Sequence, residues 1–249
     1  MVICKTPQEL ASMRKAGRIL AELLQALRGL IKPGITTEDI DRFAERHIRV
    51  SGAAPSFKGL YGFPASACVS VNDEVVHGIP GRRVLVEGDI VSVDVGAMVD
   101  GYHSDAAMTY PVGKVSGGAT HLLTVTEESL YLGIEQARAG RRVADISRAI
   151  QKHVESRGLS VVRALAGHGI GRSVHEEPRV PNFVIHGETG PHLRPGATLA
   201  IEPMVNAGDF EVMTLEDNWT VVTRDGSLSA HFEHTVAVTS DGPEILTRL

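Results

Sequence analysis

The chain has 249 residues, 22% of them charged and 43% hydrophobic, which suits a globular protein with a sizeable core. A net charge of −5 argues against general nucleic-acid binding, and two cysteines, Cys4 and Cys68, are too few for a disulfide framework or a zinc finger. No signal-peptide pattern opens the chain, and its longest apolar region, residues 19–31, is broken by Glu22, Gln25 and Arg28, so no membrane span is expected.

Thr6-Pro7-Gln8-Glu9 reads as a helix start, with Thr6 as N-cap, Pro7 in the first turn and Glu9 closing a capping box. Leu10, Met13, Gly17, Leu20, Leu24 and Leu27 recur at helical spacing up to a stop at Pro33-Gly34. A second helix is expected over 37–50, with Ile40, Phe43, His47 and Ile48 on one face. Residues 58–64 read as a loop, 67–71 as a strand holding Cys68, and 72–81 as a loop holding His77.

Residues 91–105 read as two strands joined at Asp100-Gly101, because Asp-Gly supplies the two positive φ angles of a tight hairpin turn. A two-residue loop sets Val99 opposite Tyr102 and Gly96 opposite Asp105. Asp94 then shares a face with Asp105 and lies on its diagonal, about 7–8 Å away at the backbone. Two acids on one face of an apolar strand pair repel and resist desolvation unless a cation lies between them. A connector over 111–118 and a third helix over 121–137 follow.

The chain then repeats itself. Gly34, Asp39, Ile40, Arg42, His47 and Gly52 recur as Gly140, Asp145, Ile146, Arg148, His153 and Gly158, each pair 106 positions apart. Residues 88–94 recur in pattern as 196–202, with Glu202 standing 108 positions after Asp94. An internal duplication with small insertions is expected, giving halves of about 1–117 and 118–249 within one domain. His47 and His153 would fill equivalent buried, hydrogen-bonded helix positions. The repeat also predicts a second hairpin, 219–223 returning through 228–238, with His231, Glu233 and Thr235 on one parity of the returning strand. Between the hairpins, residues 166–178 form a glycine-rich loop carrying His168 and His175.

Asp94, Asp105, Glu202, Glu233 and His168 are therefore candidate ligands. One octahedral ion does not need four protein carboxylates. Two ions close together do, because a bridging carboxylate serves both, and four anions with a hydroxide leave two divalent ions near neutrality. The carboxylate excess favours manganese, iron or cobalt over structural zinc. Metal-assisted hydrolysis follows, with a phosphate ester or an amide as substrate left open.

With Val75-Val76-His77-Gly78-Ile79-Pro80, Gly167-His168-Gly169-Ile170-Gly171, His175-Glu176, Ile201-Glu202-Pro203-Met204 and Phe232-Glu233-His234-Thr235 in this order, nearly the whole chain resembles the type I methionine aminopeptidases, in their short form. The resemblance implies an α+β pita-bread fold: two pseudo-symmetric α/β halves around a curved antiparallel sheet with a central dimetal site. It implies removal of the initiator methionine when the next residue is small (Gly, Ala, Ser, Thr, Pro, Val or Cys). Two divalent ions, from Co, Mn, Fe, Ni and Zn, would be held by Asp94 on one side, by Asp105 and Glu233 in common, and by His168 and Glu202 on the other.

By the same resemblance Glu202 takes a proton from a metal-bridging water, His77 contacts the scissile amide and His175 hydrogen-bonds its carbonyl oxygen. Cys68, Phe63 and Trp219 would wall the methionine pocket, a sulfur and aromatic lining that suits a thioether. Val174, Leu60, Tyr61 and Val76 depart from common family patterns and put the pocket's detailed shape in question, but none is a ligand. The implied setting is the cytoplasm, acting as a monomer on nascent amino termini with transient ribosome association and without sequence-specific nucleic-acid or membrane binding. Two alternatives remain. A proline-directed peptidase of the same fold usually carries an extra amino-terminal domain, and only about 66 residues precede the first strand here. A binding module that has lost its metals would not keep all five ligand positions.

Overall fold

Thr6 and Glu9 close a reciprocal capping box at the start of α1 (Pro7–Leu30), and Thr36 with Asp39 does the same for α2 (Thr37–Val50). The computed structural model describes residues 2–249. After α2 come β1 (Ala54–Pro55), a single 3-10 turn at Leu60–Gly62, β2 (Ala67–Val71), β3 (Glu74–Val76), β4 (Ile90–Val99) and β5 (Tyr102–Pro111). Next are α3 (Gly117–Ile134), α4 (Val143–Glu155), β6 (Ser160–Val161), β7 (Ala166–Gly169) and β8 (Glu176–Pro181). The last strands are β9 (Thr198–Ile201), β10 (Met204–Asn206), β11 (Val212–Thr214), β12 (Val221–Thr223), β13 (Ser229–His231), β14 (Glu233–Val238) and β15 (Pro243–Ile245).

The main sheet has nine strands in the order β1-β4-β5-β14-β9-β7-β8, with β2 on β4 and β15 on β14. Two three-stranded sheets, β13-β10-β6 and β11-β12-β3, flank it. Along β4 the side chains alternate. Val91, Val93, Val95 and Ala97 are buried in one cluster with Leu20, Leu24 and Leu27 of α1 and Ile40 of α2. Asp94 therefore projects from the face opposite the helices, as the two-residue period of a strand requires. In the second half, Leu122 of α3 and Ile146 and Ile150 of α4 cluster with Leu199, Ile201, Val236 and Val238 of β9 and β14. Helices thus cover one face of the sheet, and the acids look out from the other.

The halves share bonds at matched positions. Gly34 N–H donates to Leu85 O at 2.9 Å and Gly140 N–H to Leu193 O at 3.0 Å. Leu85 N–H donates to Ile35 O, and Leu193 N–H to Arg141 O, each at 2.8 Å. The Asp39 carboxylate accepts from Thr36 N–H, and that of Asp145 from Arg142 N–H, each at 2.9 Å.

Several local expectations need correction. The 58–64 loop contains the 3-10 turn, and residues 74–76 are not loop but a strand recruited by β12, in antiparallel pairing with Val221 and Val222. Helix α3 begins at Gly117 rather than His121, because the Ser116 hydroxyl caps Ala119 N–H, and it ends at Ile134 rather than Ala137. The glycine-rich 166–178 segment is strand at both ends, β7 pairing with β8. The second hairpin does not form as expected: β12 pairs with β3 and β11, whereas β14 pairs with β9, β5 and β15. His153 Nε2 lies 3.0 Å from the Glu128 carboxylate, but His47 Nε2 is buried with no partner among the described residues, so the two histidines are not bonded alike.

Candidate active site

Five neighbouring strands of the main sheet, β4, β5, β14, β9 and β7, bring Asp94, Asp105, Glu233, Glu202 and His168 together in that order. The register explains the convergence. The Asp100-Gly101 turn, with φ of 51° and 77°, sets Gly96 opposite Asp105 and Asp94 opposite Ala107. Glu233 also pairs with Ala107, from the other side of β5. Ile201 pairs with His234, so Glu202 emerges beside Glu233 at the end of β9. His168 pairs with Ala200 across from β7. Gly167 permits that approach, since a Cβ there would lie 2.3 Å from Ala200 O and 3.3 Å from Glu202 Cγ.

Ligand atoms of Asp105, His168 and Glu233 all lie within 4.8 Å of one another. His168 Nε2 is 3.5 Å from Glu202 Oε1. Its Nδ1 lies 2.8 Å from Gly169 O; Nδ1–H donates there and leaves the Nε2 lone pair facing the acids. Backbone clamps hold the acids. The Thr235 hydroxyl accepts from Asp105 N–H and donates to Asp105 O, each at 2.8 Å, and the Asn182 amide donates to Glu202 O at 2.9 Å.

Burial dominates the electrostatics. It pushes Asp94 up to about 6 and Glu202 up to about 7, and Asp105 and Glu233 well above the carboxylate range, where neighbouring acids add to the effect. Burial lowers His168, His175 and His231 and takes His77 to about 4, so these rings are neutral at pH 7. Among the described residues, one buried oxygen each of Asp94, Asp105 and Glu233 has no hydrogen-bond partner. Orphaned buried carboxylate oxygens beside an imidazole lone pair are the donor set of a divalent-metal site.

All ten residues singled out from the sequence line one cavity of about 350 Å³. Phe63 meets the Trp219 ring edge-on at 5.1 Å between centroids, and Cys68 and Val174 pack in the same apolar cluster. His77, at φ 59°, lies 6.5 Å from Trp219 and perpendicular to it. His175 sits with its ring 4.5 Å from that of His168 and stacks on Tyr61 at 5.9 Å.

One residue beside the acids carried no expected role. His231 Nε2 is buried with no hydrogen-bond partner among the described residues, 3.6 Å from Glu202 Oε2 and 4.0 Å from Glu233 Oε2. Its shared parity with Glu233 was the available signal. The Thr109 hydroxyl pins it by accepting from His231 N–H at 2.9 Å and donating to His231 O at 2.8 Å.

The model of metallopeptidase family M24 matches residues 11–240. Methionine aminopeptidase 1 of Bacillus subtilis is 57% identical over 249 residues, covering all of both chains. The methionine aminopeptidase of Clostridium perfringens is 57% identical over 247 residues, 99% of each. Among solved structures, methionine aminopeptidase from Thermotoga maritima matches with a TM-score of 0.97 at 47% identity over the whole of both chains. The prolidase from Pyrococcus furiosus matches at 0.80 with 21% identity over 99% of this chain and 66% of that one, a likeness of fold.

Proposed function

The chain belongs to metallopeptidase family M24, among the type I methionine aminopeptidases of pita-bread fold, and it hydrolyses the bond after an amino-terminal methionine with divalent metal; from that premise we propose which of its residues do what. The observation that carries the assignment is the convergence of Asp94, Asp105, Glu233 and His168 from four strands of one sheet with Glu202 from the residue that follows a fifth, β9, lying among them.

Two divalent ions fit this donor set. Asp94 would hold one, Asp105 and Glu233 both, and His168 and Glu202 the other. Cobalt, manganese, iron, nickel and zinc are the candidates. When bound, the ions supply the charge that lets four buried acids ionise together and the Lewis acidity that makes water a nucleophile at neutral pH. Glu202 receives the water's proton and returns it to the departing amine. His77 orients the scissile amide. His175, neutral, donates its N–H to the carbonyl oxygen as negative charge grows there.

Phe63, Cys68 and Trp219 would enclose the methionine side chain, and methionine is released when the second residue is small. Residues 1–117 and 118–249 are the two halves of a single catalytic domain, a division supported by the matched bonds at Gly34 and Gly140 and at Asp39 and Asp145. The substrates are nascent amino termini in the cytoplasm, met by a monomer in passing contact with the ribosome. No helix among the described residues is long and apolar enough to cross a membrane.

The test is hydrolysis of Met-Ala-Ser against Met-Lys and X-Pro peptides, by wild type and Glu202→Gln. Wild type should release methionine from the first alone, and the variant should fold yet release none. Preference for X-Pro would overturn the specificity, and an active Glu202→Gln the proton-transfer role.

A further inference from the structure

A buried ion pair lies at the edge of the cavity, where Glu176 of the loop that carries His175 meets Lys5. Lys5 Nζ donates to Glu176 Oε2 at 2.5 Å, with side-chain exposures of only 3% and 8%. Glu176 directly follows His175. Its other carboxylate oxygen accepts from Arg172 N–H at 2.7 Å and Ser173 N–H at 3.3 Å, so one side chain ties both ends of the 172–176 turn. The lysine stem fills the space beside Gly171, where a Cβ would come within 2.2 Å of Lys5 Cε.

The residues before α1 are themselves anchored to the sheet. Lys5 N–H donates to Gly196 O at 2.7 Å, and Cys4 bridges to Ala197. The first turn of α1 adds a second fastening, since Glu9 lies 3.6 Å from the Arg172 guanidinium, which sits 4.8 Å over the Tyr102 ring. His103 N–H holds Gly171 O at 2.8 Å. The loop is thus gripped from behind by the amino-terminal segment while His175 faces the cavity from the front.

An isolated buried ion pair adds little net stability over apolar residues of the same size, because both charges lose water. What it does impose is direction: a carboxylate with three donors has one orientation. We propose that Lys5 is a positioning residue that, through Glu176, holds the His175 imidazole at the angle needed to meet the scissile carbonyl. This rests on the role given to His175 above. A donor displaced by about 1 Å can cost on the order of a hundredfold in rate, so a partial loosening of the loop is visible in kcat. Ground-state binding by Phe63, Cys68 and Trp219 is untouched.

The experiment measures kcat and KM on Met-Ala-Ser for Lys5→Met, Lys5→Arg, Glu176→Gln, His175→Ala and Lys5→Met/His175→Ala. Lys5→Met should lower kcat about tenfold or more with KM within about twofold, and Lys5→Arg should restore most of it. In the His175→Ala background, Lys5→Met should cost less than about twofold more, since the group it positions is gone. Should Lys5→Met fail to fold, Glu176→Gln, which keeps an acceptor for the two N–H groups, gives the same comparison. In metal-free protein, the His175 imidazole resonance, assigned by its loss in His175→Ala, should broaden in Lys5→Met.

Losses that multiply in the double variant, or an unchanged kcat in Lys5→Met, overturn the positioning role. An unchanged kcat in His175→Ala overturns the role of His175 itself and that of Lys5 with it. A lowered kcat there beside a normal Lys5→Met overturns Lys5 alone.

Discussion

The two halves of the sheet solve the same problem by different routes. In the first, β4 and β5 carry Asp94 and Asp105 and are joined by two residues, so their register is set by a local turn. In the second, β9 and β14 pair as closely, yet the chain leaves at Glu202 and returns at Glu233 only after building β10 to β13. That excursion contributes Met204 and Trp219 to the cavity wall. One half spends its connection on precision, the other on specificity. The first pair of acids is fixed by local sequence, the second by long-range contacts whose closure costs more chain entropy.

The largest effect should come from breaking Asp105 and Glu233, the acids proposed to serve both ions, one from each half of the sheet. Asp105→Asn and Glu233→Gln should each cut activity on the order of a thousandfold and lower the metal bound per chain. The pH dependence gives the sign. Burial raises Asp94 to about 6 and Glu202 to about 7, so in metal-free protein both hold protons at pH 5.5 and have largely lost them by pH 8. Metal must displace those protons, so its affinity should climb between pH 5.5 and 7.5, with proton release on binding largest at the acid end. For the metal-free fold, groups with raised pKa give stability that is present below about 4 and lost as pH rises through 6 and 7. The gain in melting temperature on adding Mn²⁺ should therefore widen with pH, as scanning calorimetry would show. A flat gain would mean these acids do not receive the metal.

A smaller effect should separate the wall from the metal centre. Trp219→Ala should lower kcat/KM for methionine substrates about tenfold, through KM, while metal content stays that of wild type. Metal lost along with affinity would show that the excursion supports the acids as well as the pocket. Metal analysis and steady-state kinetics on one preparation decide it.

This contrast also marks what could be read from sequence. The Asp-Gly hairpin, the Thr6–Glu9 capping box and the helix bounds of α2 are local, and they stand where the spacing puts them. Glu202 and Glu233 were found through the repeat and the resemblance, since no short-range signal links residues separated by four small strands. The expected pairing of residues 219–223 with 228–238 failed for the same reason. Arg224-Asp225-Gly226-Ser227 reads as a hairpin turn, but β12 finds its partners in β3 and β11, which pattern alone does not reveal. His231 went unassigned because one histidine on a buried strand carries no label of what it faces.

The finest test bears on how alike the halves are. Both α2 and α4 have an acid at N3 reaching back to the N-cap amide, Asp39 to Thr36 and Asp145 to Arg142. Only α2 has the reciprocal bond, from Asp39 N–H to the Thr36 hydroxyl at 3.1 Å; arginine has no acceptor to offer Asp145 N–H. Thr36→Ala should cost about 1 kcal/mol, or about 2–4 °C in melting temperature for a chain of this size. Arg142→Ala should cost less than about half of that, because it removes only exposed contacts to Thr189 and Gly190. Neither residue touches the cavity, so kcat should hold in both. Equal losses would mean that α4 draws on its guanidinium for what α2 obtains from a hydroxyl, and that the second half kept the stability of its cap while changing the chemistry that provides it.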